Sequence, residues 1–393
     1  MLNQLLTEQK GINNNQEKSR HKRLKKQQGI ALITVMLIVA LCAIIAAQMT
    51  TRLQTQMQRS TNINFNQQAY WYAMGAEELA KRLLMKTFKE EPEVTHLEQV
   101  WAEEERSFPV DFGEISGEIT DLQACLNLNA MHPSAVTKAD TKANTQGQNQ
   151  NSSANNANAN KTAAQNTTAT QAATNTPNNQ RNSNDKQLPA ATVLEALIIN
   201  LNIEGVGNFE AEAMVNALTD WLDSDDLITN SGGAEDNDYA SREFPYLAAN
   251  AYLSSVNELR LIENFTPAVI LALTPYVCVI PQNHQHKINI NTLDAELPEL
   301  LQALINSSLD DAQQILSARD SAGYDNIQDF LNLPEVKAVG LDGWQTGQFS
   351  VDSEYFLLRA NASFSNSFFA MRSILKVDDN QHIQVISRTI GRN

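Results

Sequence analysis

The sequence predicts an α+β protein, and three observations carry that reading. Helical patterning fills the first 90 residues, strand-like runs appear near residue 110 and again after residue 347, and helical segments occupy the stretch between them. At 393 residues the chain has room for two or three compact units plus linkers.

The N-terminal segment sets the frame. Arg20, Lys22, Arg23, Lys25 and Lys26 lead into Gln27-Gln28-Gly29, and residues 30–47 (IALITVMLIVALCAIIAA) carry no charge. As a helix those residues span about 27 Å, enough to cross the apolar part of a bilayer. The basic cluster holds the N-terminal side in the cytoplasm, so everything beyond residue 47 is exported. A plain single-pass anchor fits the apolar run. A secretory signal would need small residues at its cut site, and Cys42-Ala43 and Ala46-Ala47 offer a poor version. A leader of residues 1–29, cut by a prepilin peptidase between Gly29 and Ile30, also explains the glycine wedged between charges and span.

Residues 48–90 continue the helix. No proline occurs between Ile30 and Glu91, and Tyr72, Ala76, Leu79, Leu83 and Phe88 recur on one face before Pro92 stops the run. Continuous from Ile30 to Phe88, the helix is roughly 90 Å long. Residues 91–136 hold the first strands, FPVDFGEISGEIT and LQACLNLNA, with Gly113 and Gly117 read as breaks. Residues 137–187 are an Asn, Ala, Thr and Gln tract with almost no large apolar side chain, which predicts a disordered insert. Residues 188–275 and 276–346 form two helical units, with further helix expected from Ser255 to Leu273. The units resemble a weak internal repeat, each led by an Asn-rich start, LNLNA or ININT. Residues 347–393 return to an antiparallel meander, with turns at Ser365-Asn366 and Asp378 to Asn380.

The first 29 residues carry seven basic and two acidic side chains, so their removal takes the formal charge from −16 to −21. So acidic an exported part is a poor partner for nucleic acid or anionic lipid. Cys42 lies in the apolar span, whereas Cys125 and Cys278 lie where oxidation is possible.

The segments QQG-IALITVML, AYWYAMGAEELA, ITDLQACLNLNAM, TDWLDSDD…GGAEDNDY…AANAYLSSVNELRLI and ININT together resemble the minor pseudopilin K family of type II secretion, over nearly all of residues 22–393. The resemblance implies a pilin-like fold, with the long helix packed on a small antiparallel sheet and a large SAM-like helical domain inserted between strands. It implies a place at the tip of a periplasmic pseudopilus, in protein secretion across the outer membrane. Its partners there would be I- and J-type minor pseudopilins, the shaft subunits and the prepilin peptidase. The implied location is the inner membrane of a Gram-negative bacterium. A tip pilin of a type IV pilus, used for adhesion or DNA uptake, is the alternative.

Two other classes fit less well. IEGVGNFEAEAM matches a helix-hairpin-helix glycine turn, but Glu204, Glu210 and Glu212 surround it. Only Lys186 is basic between Asp185 and Arg242, and phosphate binding needs cations. No nucleophile elbow or helical His pair marks an enzyme, and His284 and His286 read as solvated loop residues. The candidate ligand site is acidic. Asp220, Asp223, Asp225, Asp226, Glu235, Asp236 and Asp238 fall within nineteen residues around Gly232-Gly233. This is either a solvated loop with helix-capping carboxylates or an oxygen-only cation site, where irregular spacing suits calcium better than magnesium. The family resemblance implies calcium.

Cys125 and Cys278 each sit beside a strand-like run and an Asn-rich repeat start, which predicts a disulfide; two buried thiols are the alternative. Thr34 is the fifth residue after the proposed cut. The resemblance places a glutamate there in most pilins, pairing with the N-terminus of a neighbouring subunit. An uncharged threonine implies a terminal position with nothing above it, unless it is merely tolerated in an apolar helix.

Overall fold

The computed structural model describes residues 2–103, 106–133, 188–378 and 380–391, with backbone alone for 2–29 and 106; the expected disordered tract at 137–187 lies outside them. Helix α1 (Leu2–Glu90) is unbroken through Gly29 and Ile30. It ends where the Glu91 N–H closes the last turn on the Thr87 carbonyl, one residue before Pro92. From Ile30 onward it is long and apolar enough to cross a membrane.

The distal part of α1 packs on a sheet along a face that matches the expected one at Tyr72, Ala76 and Phe88 but not at Leu79 and Leu83. Leu79 is 41% exposed and Leu83 half-buried, whereas Ala69, Ala73, Ala76, Ala80, Leu84 and Phe88 are buried. These residues make an i, i+3/i+4 row whose small side chains let the sheet approach closely, while the large residues beside it are left at the rim. Glu77 lies in the same row, 1% exposed. Arg388 Nη2 and Nε reach its two oxygens at 2.8 and 2.9 Å, and Ser373 Oγ donates at 2.6 Å. Burial pushes the Glu77 carboxyl up, but these donors and the charges of Arg388 and Lys81 outweigh it and hold the pKa low.

In chain order the strands are β1 (Arg106–Val110), β2 (Gly113–Asp121), β3 (Leu126–Asn127), β4 (Val277–Cys278), β5 (Ile288–Asn289), β6 (Phe349–Ser350), β7 (Tyr355–Phe364), β8 (Ser367–Val377) and β9 (Ile383–Ile390). The main sheet is antiparallel in the order β1-β2-β7-β8-β9. Gly113 opens β2 after Phe112, whose φ is 62°, and a Cβ on Gly113 would meet the Ser363 carbonyl oxygen at 1.9 Å. Gly117 is not a break: it lies inside β2, opposite Arg106 and Ala360. The two-residue turn Ser365-Asn366 joins β7 to β8 as its spacing predicts.

Between β3 and β6 the chain is helical: α2 (Pro189–Asn200), α3 (Asn208–Leu222), α4 (Asp236–Ala240), α5 (Pro267–Leu273), α6 (Glu299–Ile305), α7 (Leu309–Ser317), then α8 to α10 (Ile327–Leu331, Pro334–Val339, Gly343–Gly347). The stretch from Ser255 to Leu273 is a 3-10 segment (Val256–Leu261) followed by α5, because Pro267 and Thr266 begin a new helix there. The two expected units share one hydrophobic core running from Leu126 to Phe349, in which α2 packs on α6.

The internal repeat is visible atom by atom. β3 pairs in parallel with β4, and β5 with β6. In each unit the first asparagine of an Asn-x-Asn bonds the backbone N–H of the second: Asn127 to Asn129, Asn289 to Asn291. The second then clamps a distant loop. Asn129 Oδ1 accepts from Leu253 N while its Nδ2 donates to the Leu253 and Ile280 carbonyls. Asn291 likewise binds Tyr324 N, with its Nδ2 donating to the Tyr324 and Val351 carbonyls. All four side chains are buried, and buried amides stay affordable only when satisfied in this way. Asp121, at the end of β2, is the polar joint between sheet and insert. Its Oδ2 accepts from Thr292 and Ser353 hydroxyls, both at 2.6 Å, and from Asn289 Nδ2 at 3.3 Å. Burial pushes its pKa up against those bonds.

Candidate functional site: the acidic loop and the membrane helix

The acidic residues hang from the C-terminal end of α3, the following loop and the start of α4. Their positions divide them sharply. Asp223, Asp225 and Glu235 each bring one oxygen to within 4.8 Å of the others, the only group of three or more such ligands among the described residues. Asp223 and Glu235 are buried and Asp225 is exposed, so the cluster opens to solvent on one side. Asp220 is fully buried behind it and accepts the Thr229 N–H at 2.9 and 3.1 Å, shaping the loop. A Cβ on Gly233 would come within 2.3 Å of Asp220 Oδ2 and 2.6 Å of the Thr229 carbonyl oxygen, so the loop closes only on glycine.

The remaining carboxylates have other work. Asp236 accepts the Ala248 N–H, Asp238 accepts the Glu235 N–H as a helix-capping partner, and Asp226 is exposed. Glu235 is the telling residue. It is 2% exposed, and neither of its buried oxygens has a well-formed hydrogen bond. Burial first, then the charges of Asp220 and Asp223, push its pKa up to about 7, against a weaker pull from the Asp236 N–H. A buried carboxylate facing other carboxylates, with only backbone N–H groups at the start of α4 near it, fits an oxygen-ligated cation.

The other singled-out residues lie elsewhere. Cys125 and Cys278 are joined by a disulfide, Cα atoms 5.8 Å apart, where β3 and β4 pair. Thr34 Oγ1 donates to the Ala31 carbonyl at 2.9 Å, so its one donor is satisfied inside α1. The histidines are not free loop residues. His284 Nδ1 bonds the Tyr252 hydroxyl at 3.0 Å, and His286 Nε2 meets Gln348 Oε1 at 2.9 Å. Burial pushes the His286 pKa down to about 4, because the chain folds back onto β6 beside it. The glycine turn before α3 has Gly205 at φ 78° and Gly207 at the helix start, where Glu210 accepts the Gly207 N–H at 2.9 Å. A carboxylate occupies the place a phosphate would need.

Comparison with known proteins agrees with this arrangement. Residues 124–282 and 288–352 match two family descriptions, both "Type II secretion system (T2SS), protein K". The protein K of Dickeya chrysanthemi is 36% identical across 93% of this chain and 98% of its own length. That of Aeromonas hydrophila is 30% identical with the same coverage. The fold is similar to a chain of the solved GspK-GspI-GspJ complex from the enterotoxigenic Escherichia coli type 2 secretion system. The TM-score is 0.65 and the identity 28%, over 85% of this chain and all of that one. With its long apolar N-terminal helix, pilin-like sheet and helical insert, the chain belongs to the type II secretion system protein K family and is a minor pseudopilin of that system.

Proposed function

We propose that this minor pseudopilin forms the tip of the periplasmic pseudopilus with I- and J-type partners, crossing the inner membrane once with its N-terminus in the cytoplasm. The likeness to GspK in a complex with GspI and GspJ carries the reading. The features around Ile30 support it. A leader ending at Gly29 leaves Ile30 as the new N-terminus, and Thr34 carries no charge to offer the amino group of a subunit placed above. The chain acts by assembly and not by catalysis; shaft subunits lie below it and the prepilin peptidase removes its leader. A type IV pilus role is not favoured, since the matched relatives are secretion-system proteins. Co-expression with I- and J-type pseudopilins should yield a complex that co-purifies. Cysteine crosslinks should join the heads of the three; regular self-contacts along a filament would refute the tip position.

Calcium is the cation proposed for the acidic loop, with Asp223, Asp225 and Glu235 as its side-chain ligands. Bound there, it supplies positive charge to a pocket of carboxylates that otherwise repel one another. Calcium at a hundredfold excess over its dissociation constant should stabilise the protein by about 2.7 kcal/mol. The double change Asp223→Ala and Asp225→Ala should remove that gain. Melting curves that ignore both calcium and chelator would rule the site out.

A further inference from the structure

On the sheet, Phe356, Leu358, Ala360 and Ala362 of β7 face α1, so the odd-numbered residues between them lie on the opposite face. At its upper end that face is covered, because Leu357 and Ile374 pack against the Cys125–Cys278 region. One row below, four side chains stand abreast across four strands: Glu118, Arg359, Arg372 and Thr389. Glu118 Oε2 meets Arg359 Nη1 at 3.3 Å. No carboxylate among the described residues pairs with Arg372. The residue is half-buried, and burial and the facing charge of Arg359 push its pKa down. Two like charges directly opposite on neighbouring strands are destabilising, and one carboxylate cannot neutralise both. Two arginines sharing one carboxylate stand out in an exported chain whose formal charge is −21.

We propose that this sheet face docks an acidic segment of a protein partner, whose carboxylate seats between Arg359 and Arg372. A guanidinium presents a planar fork of donors that matches a carboxylate, and a partly desolvated one binds it strongly. The neighbouring row is small, with Ala370 opposite Asn361, so an incoming backbone can approach. A lipid headgroup is the wrong source. Ser373, next to Arg372, bonds Glu77 of α1, and Glu77 lies 30 residues beyond Ala47. That places the arginine row about 45 Å along the helix from the end of the apolar span. The surface stands whether or not the subunit sits at the tip.

The test is a photo-crosslinking residue in place of Thr389, exposed beside Arg372, in the full-length chain within cells carrying the secretion machinery. A crosslink to a partner segment bearing Asp or Glu is expected. It should fall at least tenfold with Arg372→Glu and return when the mapped carboxylate is changed to lysine. Arg372→Gln in the purified chain should melt no lower than the parent, since it removes a repulsion. A lower melting point would make the arginine a fold element and overturn the proposal. So would crosslinks to lipid alone, crosslinks indifferent to Arg372→Glu, or failure of the charge swap to restore them.

Discussion

Reduction of the Cys125–Cys278 disulfide is expected to destabilise the folded head by about 5 kcal/mol, the chain-entropy value for so long a loop. The bond joins residues 153 apart, so an unfolded chain that keeps it has lost much of its freedom, and cutting it returns that freedom. It also holds the small cluster of Leu122, Cys278, Ile280 and Tyr355 where the insert meets the sheet. Urea unfolding with and without reductant, beside a Cys125→Ser, Cys278→Ser double variant, should show the same large drop in midpoint for both. An unchanged midpoint would contradict the expectation.

Removal of Arg388 should be nearly as costly. Arg388→Ala leaves the Glu77 carboxylate, 1% exposed, with only Ser373 and Lys81 inside the contact between α1 and the sheet. Breaking a buried pair on one side costs about 3–5 kcal/mol, and the lower end applies here because the Arg388 side chain is one-third exposed and Lys81 and Ser373 stay on Glu77. The same pair makes stability pH-dependent. The Glu77 pKa is lower folded than its ordinary value of 4.5, so its contribution is complete above that value and is lost as pH falls through the folded pKa. Acid unfolding of the parent and of Arg388→Ala should therefore converge at low pH; curves that stay parallel would exclude Glu77 as the cause.

Much of this was legible in the sequence, and the reasons differ by element. The apolar span and the hairpin at Ser365-Asn366 follow from local rules of charge, periodicity and turn length. The LNLNA and ININT repeat was visible as a likeness, but not its mechanism, since Asn129 and Asn291 act on residues far along the chain. On the buried face of α1, Ala76 and Phe88 follow from the helical period, whereas Leu79, apolar and large, lies at the rim. A close helix-to-sheet contact selects alanines instead, and the buried Glu77 depends on Ser373 and Arg388, both nearly 300 or more residues away. Within the acidic loop, composition gave the neighbourhood. Only the fold shows that Asp223, Asp225 and Glu235, while also tying or capping backbone, bring their oxygens together.

The antiparallel pairing of β2 with β7 has a consequence for how such heads diversify. The chain leaves the main sheet at Asp121, the end of β2, and rejoins it at Tyr355 on the adjacent strand β7, about 4.8 Å away. What lies between is a cassette whose two ends are fixed beside each other whatever its length. Closing a loop twice as long costs only about 0.6 kcal/mol more. A lineage can therefore lengthen, trim or replace the cargo of that cassette while the filament-forming base below keeps its geometry, so the size of the head and the fit of the stalk are free to evolve separately.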